Sequence, residues 1–206
     1  MNTYARLSLV LFIICAISAG ALALADAATR SRIRANEEYK ERILRGKALA
    51  GEERGGAVVF DPQPVEIEGR EYYIGRLDGK FAGTAFTAVT NKGYSGPIEV
   101  VIAMDEVGEK IAGVRIKSHS ETPGLGANAT QIKYGDIEPW FLAQFSGKEA
   151  QEARLKADDP NGEIDAITAA TITSRAVTNC VQEAASDFSQ AWDKLKVRLE
   201  HGETAE

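Results

Sequence analysis

Hydroxyl side chains are concentrated in one short segment of the chain, residues 165–175, which reads Asp-Ala-Ile-Thr-Ala-Ala-Thr-Ile-Thr-Ser-Arg. Its four hydroxyl residues lie within seven positions: Thr168, Thr171, Thr173 and Ser174. A helical pattern follows from about Arg175 to Leu199. Hydroxyls and free backbone N–H groups at the N-terminal end of a helix can bind a phosphate. A Ser/Thr helix cap without any ligand is the alternative interpretation.

The order of residues in this segment resembles a known flavinylation motif. Asp165-x-x-Thr168-Ala169-Ala170-Thr171 is similar to Asp-x-x-Ser/Thr-Gly-Ala-Thr, the motif of an FMN-binding domain family. That family is shared by the G subunit of the Rnf complex and the C subunit of the sodium-pumping NADH:quinone oxidoreductase. Ala169 stands where the family usually has Gly, and Ala has the more restricted backbone.

The resemblance implies a covalent cofactor. In the family the last Thr of the motif carries FMN through a phosphoester bond, which corresponds to Thr171 here. The other cofactor-binding residues expected on the phosphate side are Thr168, Ala170, Ile172 and Thr173.

A second segment carries polar residues next to a flexible turn. Residues 119–126 read His-Ser-Glu-Thr-Pro-Gly-Leu-Gly, and an ordinary loop is one interpretation. The run also resembles the second signature of the same FMN-binding domain. The residues that this resemblance places on the ring side of the flavin are His119, Glu121, Thr122, Leu125 and Gly126. The resemblance covers roughly residues 65–181.

Period-two patterns predict strands at 57–60, 71–77, 83–89, 98–104 and 111–117, and the last two read as an antiparallel hairpin. Strands followed by one long helix predict an α+β domain. We expect residues 1–26 to form a cytoplasmic tip and transmembrane anchor, 27–56 a helical stalk and linker, and 57–206 a single FMN-binding domain with an antiparallel sheet and a long C-terminal helix.

The N-terminal run from Leu7 to Ala25 has 19 residues without a charge, close to what a bilayer crossing needs. The alternative is a cleaved signal peptide, because Ala23-Leu24-Ala25 has the A-x-A pattern of a cleavage site. We favour the uncleaved anchor.

Composition excludes several classes of protein. The chain has 206 residues, a net charge of −6 and a pI near 5.2, which argues against a nucleic-acid partner. Two cysteines, Cys15 and Cys180, make neither a disulfide framework nor a metal site. Two histidines, His119 and His201, exclude a His-rich metal centre. No catalytic residue and no metal ligand is predicted.

By resemblance the expected function is that of an electron-transfer subunit of an Rnf-type complex in the inner membrane, with the flavin domain on the extracytoplasmic side. Such complexes move electrons between ferredoxin and NAD and couple this to ion translocation. The expected partners are the other membrane subunits, the membrane itself and a flavin transferase during maturation.

Three other functions remain possible from the residues. The chain can carry FMN in another redox chain, including the quinone-reducing sodium pump, although its compact length favours the Rnf type. It can be an anchored, non-redox binding module. A hydrolase with Thr171 or Ser174 as nucleophile would need His119 as its base.

The apolar run at the N-terminus generates a first prediction. The mature protein should stay in the membrane fraction through a carbonate wash, because removing 19 uncharged residues from the bilayer is unfavourable. N-terminal sequencing of the mature chain is the direct measurement. A mature chain that starts at Asp26 would show a cleaved signal peptide and refute the anchor.

Overall fold

The computed structural model describes residues 3–133 and 135–201, with side chains through residue 199. Residues 1–2 and 202–206, which belong to the predicted tip and to the end of the predicted domain, lie outside the described residues. The helices are α1 (Thr3–Arg54), α2 (Trp140–Ala143) and α3 (Thr171–His201). The strands are β1 (Val59–Phe60), β2 (Val65–Ile67), β3 (Arg70–Leu77), β4 (Lys80–Thr90), β5 (Ile98–Met104) and β6 (Ile111–His119). Short 3-10 turns span Gly55–Ala57 and Gly126–Thr130.

The first of two compact units, Met1–Lys40, contains only part of α1 among its described residues. It has the length and apolar composition of a membrane span, a property that a signal sequence near the N-terminus shares. Its large apolar side chains are exposed within the chain, Phe12 and Leu22 among them. They therefore take no part in a protein core.

The second unit, Glu41–Glu206, is built on an antiparallel sheet. Its strands are ordered β1-β3-β4-β5-β6, and β2 pairs with β3 beside this path. Strand β5 lies between β4 and β6, with Ile102 opposite Phe86 on one side and Val114 on the other. Since β5 has both neighbours paired, its nearly continuous apolar sequence fits a central strand.

Both faces of the sheet are covered, and the alternation of side chains along β5 decides what each face meets. Ile98, Val100, Ile102 and Met104 point into the main core with α3. Val101 and Ala103 point the other way and pack with Ala48 and Leu49 from the end of α1. The last part of the segment expected as a stalk therefore lies on the sheet.

A buried arginine reinforces this packing of α1. Arg115 on β6 is almost fully buried, and its Nε lies 3.2 Å from Glu52 Oε1. Its Nη2 lies 2.9 Å from Glu138 Oε1. A buried guanidinium needs such carboxylate partners, so the pairs join β6, the end of α1 and the segment before α2.

The predicted α+β class is confirmed, with an antiparallel sheet and a long C-terminal helix. The predicted hairpin of 98–104 and 111–117 is also present. Two details of the sequence interpretation were wrong. Strand β2 was missed because three residues between prolines and a Glu-Gly turn give too short a pattern. Helix α3 begins at Thr171 and not near Arg175, so the hydroxyl segment itself forms the first helical turn.

The core under α3 generates a second prediction. Phe188 is fully buried, stacks on Phe86 with ring centroids 5.4 Å apart and contacts Tyr72 at 5.7 Å. Phe188→Ala should lower the free energy of unfolding by about 3–5 kcal/mol, because it removes buried area and leaves a cavity. Urea unfolding of the detergent-solubilised chain, followed by circular dichroism, measures this. The exposed Gln190→Ala on the same helix is the control and should change stability by less than about 0.5 kcal/mol. Equal effects of the two would contradict the packing.

Candidate flavin site

A cavity of about 410 Å³ lies where the start of α3 meets the loop after β6 and the turn before β5. This volume is within the range of small-molecule sites. Its described lining residues are Tyr94, Glu121, Thr122, Leu125, Gly126, Ala169, Ala170, Thr171, Ile172 and Thr173. The two segments singled out in the sequence, 165–175 and 119–126, therefore meet at one place although they are far apart in the chain.

A tight turn fixes the approach to α3. The N–H of Ala170 donates to the carbonyl of Ile167 at 3.0 Å, which closes the turn Ile167–Ala170. Its third residue, Ala169, has a φ of +60°. Turns with a positive φ at this position favour Gly, because a Cβ is strained there. This is the physical reason for a Gly at the corresponding position of the motif.

Ser174 closes the same turn from inside the helix. Its Oγ accepts a hydrogen bond from the Ile167 N–H at 2.8 Å and donates to the Ala170 carbonyl at 3.0 Å. Its own N–H bonds to the Ala170 carbonyl at 3.0 Å. Ser174 is fully buried, so its hydroxyl is committed to the backbone.

The four hydroxyls of the segment thus have different environments. Thr173 is 2% exposed, and its Oγ1 donates to Glu121 Oε2 at 2.5 Å. Thr168 is exposed but is not a lining residue of the cavity. Thr171 is both exposed and on the cavity wall, and it is the first residue of α3. Among these four residues, only Thr171 offers an accessible hydroxyl to a molecule in the cavity.

The start of α3 also provides polar backbone. The N–H groups in the first turn of a helix have no acceptor inside the helix, and the helix dipole is positive there. Thr171 and Ile172 carry such N–H groups at the cavity wall. The described part of the first turn has no acidic side chain to compete for them.

The loop after β6 supplies the opposite wall. Of its predicted site residues, Glu121, Thr122, Leu125 and Gly126 line the cavity. His119 does not line it: its Nδ1 accepts the N–H of Glu121 at 3.2 Å. A hydrolase in which His119 activates Thr171 or Ser174 therefore has no support, since His119 bonds within its own loop and Ser174 is buried.

Glu121 is the central polar group of this wall. It is 6% exposed, and its two oxygens have different partners. Oε1 accepts from the Ser95 N–H at 3.0 Å, and Oε2 accepts from Thr173 Oγ1. One carboxylate thus contacts the turn before β5 and the first turn of α3.

Sequence reasoning missed one lining residue of clear chemical interest. Tyr94 is an aromatic residue that is 68% exposed at the cavity rim. The Gly-Tyr-Ser-Gly-Pro sequence predicted a turn, and Gly-Tyr-x-Gly-x-Ile resembles the family domain, but neither interpretation gave Tyr94 a role in the site. An exposed aromatic residue in such a turn was the signal that could have drawn attention to it.

Phe141 and Phe145, two aromatic residues between the two segments, do not line the cavity. Both are fully buried and pack edge to face, with ring centroids 5.7 Å apart.

The thiol of Cys180 is also buried, and burial raises the pKa of this thiol to about 11. It is therefore protonated at neutral pH and unreactive.

Ion pairs hold the segment that leads into the turn. Arg175 Nε donates to Asp158 Oδ2 at 2.6 Å, and this hydrogen bond lowers the pKa of the Asp158 carboxyl. Asp165, the acidic residue of the motif, is exposed and pairs with Lys156 at 2.9 Å. Asp165 is not a lining residue of the cavity.

Comparison with known proteins identifies the class of domain that this cavity belongs to. The family model for an FMN-binding domain matches residues 93–186, a range that contains every lining residue named above. The solved structure of the C subunit of a Na⁺-translocating NADH-quinone reductase from Parabacteroides distasonis has the same fold. It superposes with a TM-score of 0.57 at 19% identity and covers 78% of this chain and 94% of that chain.

Two relatives extend the match over most of the chain. The G subunit of the Na⁺-translocating ferredoxin:NAD⁺ oxidoreductase complex of Acetobacterium woodii is 31% identical over 191 residues, covering 85% of this chain and 87% of that protein. The G subunit of the ion-translocating oxidoreductase complex of Vibrio atlanticus is 29% identical and covers 92% of each chain. The chain belongs to the family of G subunits of ion-translocating oxidoreductase complexes, and it carries the FMN-binding domain of that family.

The strained turn before α3 generates a third prediction. Ala169→Gly should raise the free energy of unfolding by about 1 kcal/mol, because Gly adopts a positive φ without the Cβ penalty. Urea unfolding of the full chain in detergent is the measurement. Ala170→Gly is the matched control, since Ala170 has no positive φ, and it should destabilise the protein. Stabilisation by both changes, or by neither, would show that the backbone at 169 is not strained.

Proposed function

We propose that this protein carries FMN covalently on Thr171 and transfers electrons within an Rnf-type complex. The observation that carries the proposal is the environment of the motif hydroxyls. Thr171 is the one of the four that is exposed on the cavity wall, whereas Thr173 and Ser174 are buried with their protons donated. The motif resemblance and the accessibility of the hydroxyl thus select the same residue independently.

The phosphate of FMN fits the helix start. A phosphoester on Thr171 Oγ1 lies at the first residue of α3, where unpaired N–H groups and the positive end of the dipole favour an anion. Placement near a helix N-terminus stabilises an anion by about 0.3–1 kcal/mol at exposed sites. The N–H groups of Ile172 and Thr173 are the nearest donors along the chain, and Ala170 leaves room beside them.

The flavin ring fits the rest of the cavity. Leu125 and Ile172 present apolar side chains, and Tyr94 adds an aromatic ring at the rim. Thr122 brings a polar side chain to the same wall, and Gly126 brings its backbone. FMN supplies one- and two-electron chemistry when bound, and the protein's residues hold it, exclude water from one side and leave another side open for electron exchange.

The partners follow from the relatives. The Acetobacterium woodii relative is named as a subunit of a Na⁺-translocating ferredoxin:NAD⁺ oxidoreductase complex. We infer that this chain assembles with other membrane subunits of such a complex and contributes to electron flow between ferredoxin and NAD. The apolar part of α1 serves as its anchor in the inner membrane, and the flavin domain lies on the extracytoplasmic side.

Attachment of the flavin requires a flavin transferase with a flavin dinucleotide as donor. The Thr171 hydroxyl loses its proton and forms the ester bond to the FMN phosphorus, while the bond between the two phosphates of the donor breaks and the nucleoside monophosphate leaves. A covalent bond is useful outside the cytoplasm, where dissociated FMN would be lost. Thr171 and Asp165 are both exposed, so a second protein can reach each of them.

The environment of the four hydroxyls generates a fourth prediction. Thr171→Ala should abolish covalent flavin, because no other motif hydroxyl is accessible from the cavity. Flavin fluorescence in a denaturing gel, after co-expression with a competent transferase, is the measurement. Peptide mass spectrometry of the unsubstituted protein should locate the mass of FMN minus one water on Thr171.

Thr168→Ala is the matched control. Thr168 is an exposed hydroxyl of the same motif but does not line the cavity, so this variant should retain covalent flavin at least in part. Full flavinylation of the Thr171→Ala protein, or FMN on another residue, would refute the proposal.

A further inference from the structure

We propose that the side chains of Glu121 and Thr173 are not ligands of the flavin but form a buried latch that positions the two sides of its cavity. This inference rests on the proposed function of the cavity. It changes the roles that the resemblance implied for both residues: a ring contact for Glu121 and a phosphate contact for Thr173. Here Glu121 is a positioning residue that acts through Ser95 and Thr173.

The hydrogen bonds of the latch connect segments that are distant in sequence. Thr173 Oγ1 donates to Glu121 Oε2 at 2.5 Å, across 52 positions of the chain. Glu121 Oε1 accepts the Ser95 N–H at 3.0 Å, across 26 positions. Both side chains are buried, at 6% and 2% exposure, and a charge-assisted hydrogen bond in such surroundings is strong.

The carboxylate is enclosed by backbone on two sides. A Cβ on Gly93 would lie 2.9 Å from Glu121 Oε1, and a Cβ on Gly126 would overlap both Glu121 Oε2 and Thr173 Oγ1. Both positions therefore require the absence of a side chain. Such close packing leaves Glu121 little freedom to turn towards a molecule in the cavity.

Hydrogen-bond chemistry excludes the Thr173 hydroxyl as a phosphate donor, although its backbone N–H remains available. A threonine hydroxyl has one proton, and Thr173 donates it to Glu121. Its remaining lone pairs can only accept, whereas phosphate oxygens at neutral pH need donors. Glu121 is an acceptor as a carboxylate, and its negative charge would repel the phosphate at close range.

The latch instead fixes what lies beside its two ends. Ser95 follows Tyr94, the aromatic residue at the cavity rim, and Thr173 lies two residues after Thr171. The separation of the Tyr94 turn from the attachment hydroxyl is thus set by one carboxylate. Loss of either half should misplace Thr171 for the transferase.

A double-mutant cycle tests the latch. The variants are Glu121→Met, Thr173→Val and the two combined, which remove the polar groups while roughly keeping their volume. The full chain in detergent is incubated with purified flavin transferase and its flavin donor, and the rate of covalent flavin attachment is measured. Each single change should slow attachment by about fivefold or more, and the double change should slow it no further than the slower single variant.

The conservative variants provide the matched controls. Thr173→Ser keeps the donor, and Glu121→Gln keeps an oxygen for Ser95 and a polar partner for Thr173. Both should attach flavin within about twofold of the unsubstituted rate. If circular dichroism shows that Glu121→Met does not fold, the Thr173→Val and Thr173→Ser pair still decides, since valine has a methyl group of similar size in place of the threonine hydroxyl.

The outcomes separate this proposal from the proposed function. If the double variant slows attachment by the product of the factors measured for the two single variants, the two side chains act independently and the latch is overturned. An unchanged rate for Thr173→Val would overturn it as well. If the unsubstituted chain accepts no flavin at Thr171, the proposed function itself fails. If the unsubstituted chain is flavinylated but the double variant slows attachment by the product of the two single factors, only the latch is refuted.

Discussion

The packing of α3 against the sheet is the interaction on which the flavin site depends. Phe188, Phe86 and Tyr72 form an aromatic cluster at this interface, and apolar residues of α3 continue the contact along the helix. Burial of aromatic side chains contributes much of the stability of such a core. Because the helix is fixed along its length, its first residue, Thr171, has a defined position at the cavity wall. The position of the helix start that carries Thr171 is thus determined by side chains several turns away.

The hydroxyl-rich segment shows how one residue type can have different roles within seven positions. The Ser174 hydroxyl accepts the buried Ile167 N–H, which needs a partner, and adds a second hydrogen bond to the Ala170 carbonyl. Thr173 is held by Glu121, and Thr171 is exposed at the cavity wall. Helical spacing accounts for one of these differences: Thr171 and Thr173 lie about 160° apart around the helix axis, so Thr173 is buried while Thr171 is exposed. Ser174 lies only about 60° from Thr171 around the axis, and its burial follows from its contact with the turn before the helix.

The sequence predicted the sheet, the hairpin and the long helix because their patterns are long and periodic. It predicted the meeting of segments 119–126 and 165–175 only through the family resemblance, since no local pattern reports a contact across 52 positions. The positive φ of Ala169 and the rim position of Tyr94 depend on tertiary packing and could not be derived from residue types alone. The distinction between the buried Thr173 and the exposed Thr171 needed the correct helix start, which was placed about four residues too late.

Ala169 illustrates how this site tolerates a local cost. An alanine at a positive φ is strained by about 1–2 kcal/mol, and such strain persists only when the surroundings over-determine the backbone. Here the turn is fixed on both sides: Ala170 bonds to Ile167, and Ser174 contacts both of these residues. Breaking these buried hydrogen bonds to relax one residue would cost more than the strain itself, since each buried group left without a partner costs about 1–3 kcal/mol. The added methyl group is exposed at the cavity wall and does not enter the core. The turn therefore keeps the geometry suited to Gly while carrying Ala, and Thr171 keeps its place at the start of the helix.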